Sequence, residues 1–66
     1  MRCKKTIYTI MYWSMIEKSY TTVYFGNDTE EKKKTIETLM HLLGFKHVHE
    51  KKIIVNGIRS ITIYLS

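Results

Sequence analysis

The chain of 66 residues is 44% hydrophobic, holds 3 Gly, no Pro and 1 Cys, and carries 11 Lys+Arg against 6 Asp+Glu for a formal charge of +5. That length leaves room for one domain, residues 1–66, and argues against a multidomain enzyme; the apolar fraction argues against a disordered coil. A lone Cys3 cannot form an internal disulfide and is expected of a protein kept in a reducing compartment, while the positive charge favours polyanions or acidic protein surfaces as partners.

From Lys4 to Trp13 the run KKTIYTIMYW is dense in β-branched and aromatic residues, which suit a pleated, half-buried surface, and predicts a long first strand. The more polar Ser14–Ser19 connects it to a second strand over Tyr20–Phe25, and the two read as a hairpin. Gly26 and Asn27 break the strand, and Asp28 followed three residues later by Glu31 forms a start resembling a capping box. The helix this opens runs from about Thr29 to Leu43, with Ile36, Leu39, Met40 and Leu43 at the i, i+3, i+4, i+7 spacing of one buried stripe. Gly44 closes it, and Phe45 and Val48 are expected to tuck beneath its end.

Asn56-Gly57 lies between two β-rich runs and signals a tight hairpin, with the third strand ending near Val55 and the fourth beginning near Ile58. A two-residue loop and a three-residue bulged loop give opposite facing for the third strand, and both remain open at this level. The order is ββαββ, an α+β domain expected to form a four-stranded antiparallel sheet with one amphipathic helix packed on one face.

No stretch approaches the roughly 20 apolar residues of a membrane span, and the basic N-terminus is not followed by the apolar run of a signal peptide, so a cytoplasmic location and no membrane partner are expected. His41, His47, His49 and Glu50 lack metal-site spacing, and a solvated role outweighs a ligand role. Neither Cys3 nor any Ser has a sequence-evident base and orienter, and there is no Gly-rich phosphate loop. The expectation is a non-enzymatic protein with no catalytic residue, no metal and no cofactor. Lys32, Lys33 and Lys34 span much of the helix circumference and read as a solvated face.

Alternation along the strands suggests which side meets the helix. Taking Thr21, Val23 and Phe25, then Arg59, Ile61, Ile63 and Leu65, with Ile7, Met11 and Trp13, as helix-facing puts all five tyrosines on the other side. The expected partner-binding residues are therefore Tyr8, Ile10, Tyr12, Tyr20, Tyr24 and Tyr64, set against the plainer reading that Tyr and Thr populate strands by β propensity alone. Ile10 between Tyr8 and Tyr12 makes the first strand apolar on both faces, which suggests a second cover, either a protein partner or a second copy in a homodimer. The rival use of the same tyrosines is a stacking platform for single-stranded nucleic acid, with Arg2, Lys4, Lys5, Lys51 and Lys52 drawing in phosphates. Richness in Lys, Ile and Tyr suggests an AT-rich genome, and the size and lack of catalytic equipment suit a small regulator or inhibitor of the kind carried by bacteriophages and mobile elements.

Overall fold

The computed structural model describes residues 5–66, so the expectations placed on Arg2, Cys3 and Lys4 lie outside the described residues. The β-branched and aromatic runs form β1 (Lys5–Ser14) and β2 (Ser19–Gly26), then comes α1 (Thr29–Leu43), followed by β3 (Val48–Val55) and β4 (Ile58–Leu65). β1, β2 and α1 match their sequence-based extents to within one residue, the usual scatter of element ends, and β3 ends and β4 begins where Asn56-Gly57 was expected to turn the chain.

The sheet order is β2-β1-β4-β3, with both hairpins antiparallel and β1 paired in parallel with β4 from Lys5↔Ile58 to Tyr12↔Leu65. This corrects the expected all-antiparallel sheet, which is mixed. β1 and β4 are the strands apolar enough to be flanked on both edges, so they take the centre. A single helix then returns the chain to the end where β2 began, so β3 runs parallel to β2 and β4 parallel to β1.

At the helix start Asp28 accepts hydrogen bonds from the Glu30 and Glu31 N–H groups at 2.9 and 3.3 Å. In a full capping box the Glu31 side chain would take the Asp28 N–H; here that N–H donates instead to the Tyr24 hydroxyl at 3.1 Å, and the hydroxyl donates onward to the Asp28 carbonyl. Tyr24 reaches the cap by lying along its own strand over Gly26, where an added Cβ would sit 2.7 Å from the tyrosine oxygen. At the other end Gly44 takes the left-handed conformation (φ 70°) and its N–H bonds the Met40 carbonyl.

The β3–β4 loop is the two-residue type, with Asn56 and Gly57 both at positive φ (52° and 76°) and Val55 directly opposite Ile58. That is the geometry Asn-Gly favours, and it resolves the facing of β3: Val48, Glu50, Lys52 and Ile54 share the side of Ile61, Ile63 and Leu65. The β1–β2 connection is longer and closes on Lys18, also at positive φ, whose N–H bonds the Ser14 carbonyl at 2.8 Å.

The core is Ile10, Ile61, Ile63 and Leu65, against which Ile36 and Leu39 of α1, Phe45, and Tyr8, Tyr12 and Tyr24 pack. α1 contributes no fully buried residue. Of its expected stripe Leu43 stands exposed; Val48, expected beneath the helix, instead pairs with Leu65 in an exposed β3. The thinnest Cα dimension, 16 Å, accommodates one sheet and one helix layer at the usual spacing of about 10 Å.

With so few core side chains, Ile63→Ala is expected to cost about 3 kcal/mol, Tyr24→Phe about 1 kcal/mol through the lost cap bond, and Lys33→Ala under about 0.5 kcal/mol. Equilibrium urea unfolding measures all three, and a Tyr24→Phe chain as stable as its parent would remove the hydroxyl from the cap.

Candidate functional site

The parallel seam decides which side of β1 meets the helix. Tyr8 lies opposite Ile61, Ile10 opposite Ile63 and Tyr12 opposite Leu65, so all three face the core beneath α1. The expected assignment of β1 is thereby reversed, and Ile7, Met11 and Trp13 face the open side. Counting apolar residues could not settle the matter, because both faces of this strand are apolar and only the partner's register distinguishes them.

β2 departs from simple alternation for a second reason. Its register shifts between Ile10↔Tyr24 and Met11↔Thr22, which leaves Val23 as the extra residue of a β-bulge. Tyr24 therefore shares the core side with Ile10, whereas Tyr20, opposite Trp13, lies on the open side. Phe25, expected under the helix, is 71% exposed and stands opposite Thr9 on the open side.

Of the six expected binding residues, Tyr8, Ile10, Tyr12 and Tyr24 thus belong to the helix-covered core, and Tyr20 and Tyr64 lie together on the open face. Ile10 is fully buried. Tyr12 tilts against Phe45 at 5.8 Å, and the Lys32 ammonium sits 4.7 Å from the Tyr8 ring centroid, which gives that basic residue a partner on the core side.

On the open face an aromatic row crosses the whole sheet at one end. Trp13 meets Tyr20 edge-on at 5.3 Å, Tyr20 reaches across β1 to Tyr64 at 5.0 Å, and His49 of β3 lies 6.4 Å from Tyr64. The edge-to-face contacts are those the ring quadrupoles favour, so the row holds itself in place before any partner arrives. Trp13 and His49 belong to it and were not singled out as binding residues from the sequence; their facing followed only from the register.

Toward the other end the open face carries Ile7, Phe25, Ile53, Val55 and Ile58, of which Phe25 and the three branched residues of the second hairpin are exposed. Beside the row Trp13 also lines an apolar groove of about 280 Å³ with Tyr12, Met15, Ile16, Leu43 and Phe45. Ile16 at its rim is 95% exposed.

Charge is distributed differently. Of the lysines proposed to draw in phosphates, register places Lys5 and Lys51 on the open side and Lys52 on the helix side. No three of His, Cys, Asp and Glu come together among the described residues. His47 lies just outside β3, its backbone paired with Ser66. No helix among the described residues is long and apolar enough to cross a membrane.

No protein-family model, curated protein or solved structure matches the chain.

The facing makes a prediction that separates the tyrosines. Tyr12→Ala, which removes a ring packed against the core, is expected to cost about 2 kcal/mol or more of stability, and Tyr20→Ala, on the open face, less than about 1 kcal/mol. Thermal unfolding of the two variants checks this, and equal losses would contradict the assigned facing.

Proposed function

We propose that the chain is a non-catalytic protein-binding module of regulatory or inhibitory kind, which engages its protein partner through the open face of the sheet. The observation that carries this reading is the aromatic row of Trp13, Tyr20 and Tyr64, pre-packed and set beside exposed aliphatic side chains where no second layer among the described residues covers them. Rigid aromatic side chains beside an aliphatic patch make the water-excluding centre of a protein interface, in which few residues carry most of the energy. Tyr20 and Tyr64 remain from the partner-binding residues read in the sequence, and Trp13 joins them.

A stacking platform for nucleic acid needs cations flanking the rings along a backbone track. The lysines on the open side are Lys5, at the opposite end of β1 from Trp13, and Lys51 on β3. Apart from these lysines and His49, the strand residues that register puts on that face are apolar or hydroxylic, which favours protein over polyanion.

Trp13 is the single tryptophan, so occupation of the face is expected to shift its fluorescence. With the chain as bait in an extract, Tyr20→Ala or Tyr64→Ala is expected to weaken capture by about 2 kcal/mol, and Lys33→Ala to leave it unchanged. Capture that survives both tyrosine substitutions would falsify the assignment. A mixed-sequence single-stranded oligonucleotide, titrated at about 50 and 200 mM salt, tests the polyanion reading: affinity dropping steeply across that range would replace the protein partner with nucleic acid.

A further inference from the structure

The two edges of the sheet are unlike. β2 carries the bulge at Val23, a device that disrupts the ladder and blunts an edge against further pairing. β3 is unbroken: all eight residues pair in register with β4, from Val48↔Leu65 to Val55↔Ile58, and all eight are exposed. Neither face of β3 is covered by the described residues, so Ile53 and Ile54, on opposite sides of the strand, are 52% and 60% exposed.

We infer that β3 pairs antiparallel with β3 of a second copy of this chain, about a two-fold axis normal to the sheet at Lys51, making one continuous eight-stranded sheet. A two-residue loop makes Val55 and Ile58 a hydrogen-bonded pair, so the odd residues of β3 turn their backbone groups toward β4, while Val48, Glu50, Lys52 and Ile54 present theirs to the edge. An axis normal to the sheet keeps like faces together, which requires each residue to meet one of the same parity. Centring on Lys51 places Glu50 opposite Lys52 of the second copy, and Val48 opposite Ile54, each twice by symmetry.

Shifting the axis to Lys52 sets Lys52 against itself and Glu50 against Ile54; shifting it to Glu50 sets two carboxylates face to face. The Lys51 register is thus the one that matches opposite charge with opposite charge and aliphatic with aliphatic on the edge-bonded residues. Its cost is Lys51 opposite Lys51 on the open side, in a pair without backbone bonds, where the ammonium groups can splay apart into water. This interface is separate from the aromatic row, so it stands or falls independently of the proposed partner face.

Sedimentation equilibrium of the full chain is expected to show a concentration-dependent mass rising to that of two chains. Glu50→Lys, which sets lysine against lysine at both ends, is expected to weaken the dimer about tenfold or more; adding Lys52→Glu to it exchanges the charges and restores pairing; and Lys51→Thr, which relieves the repulsion at the axis, tightens it. Tyr20→Ala leaves the dimer intact, so loss of partner capture and loss of self-association are read apart. Amide exchange of the unsubstituted chain provides the check that does not depend on variants folding: protection rising with concentration at Val48, Glu50, Lys52 and Ile54 is expected. A chain monomeric into the millimolar range, a Glu50→Lys dimer as tight as the parent, a folded double exchange that fails to recover, or protection arising elsewhere would each overturn the pairing.

Discussion

The parallel seam between β1 and β4 is the constraint on which the rest of the molecule depends. Three facing pairs along it, Tyr8 with Ile61, Ile10 with Ile63 and Tyr12 with Leu65, contain the four buried residues among those described, and the helix adds to this group without burying a side chain of its own. The seam also decides which surface is left open, because the side of β1 that joins the core determines which side remains. Had β1 been turned by one residue, Trp13 and Met11 would lie under α1 and the tyrosines would face solvent, as a one-residue slip exchanges every side chain between faces.

A sheet of four strands offers more apolar surface than one fifteen-residue helix can cover. The helix lies over the seam, and among the described residues this leaves β3 uncovered on both sides and the far face of the sheet with no layer. The half-exposed aromatic row and the exposed aliphatic edge are therefore two consequences of one shortage of cover. In so short a chain stability is marginal, so a contact that buries either surface stabilises the fold as well as the complex.

Every strand, the helix and both of its caps were legible in the sequence, because each rests on local chemistry: Asp28 and Gly44 at the helix ends, Asn56-Gly57 at the turn, β-branched residues in the strands. What could not be read were relations between distant segments. The adjacency of β1 and β4 depends on which strands can best be flanked, and the facing of β1 depends on a partner 53 residues away in the chain. The bulge at Val23 carries no glycine or other mark, yet it reverses the parity of β2 and places Tyr20 and Tyr24 on opposite sides. So the residue types of the candidate surface were legible, whereas four of its six members were read onto the wrong face.

Much of the charge of this chain lies apart from its aromatic surface, and that separation gives the two different physical work. Lys33 and Lys34 stand exposed on the helix and Lys52 on the helix side of the sheet, away from Trp13, Tyr20 and Tyr64. Charges outside a contact act at a distance: they raise the rate of encounter with an acidic partner and are screened by salt within about 8–10 Å. Desolvated rings at the centre of a contact act only once it has formed, and chiefly set how long it lasts. For an acidic protein partner on the open face, added salt should therefore slow association while leaving the lifetime of the complex largely unchanged, whereas a polyanion held by the lysines themselves would lose lifetime as well.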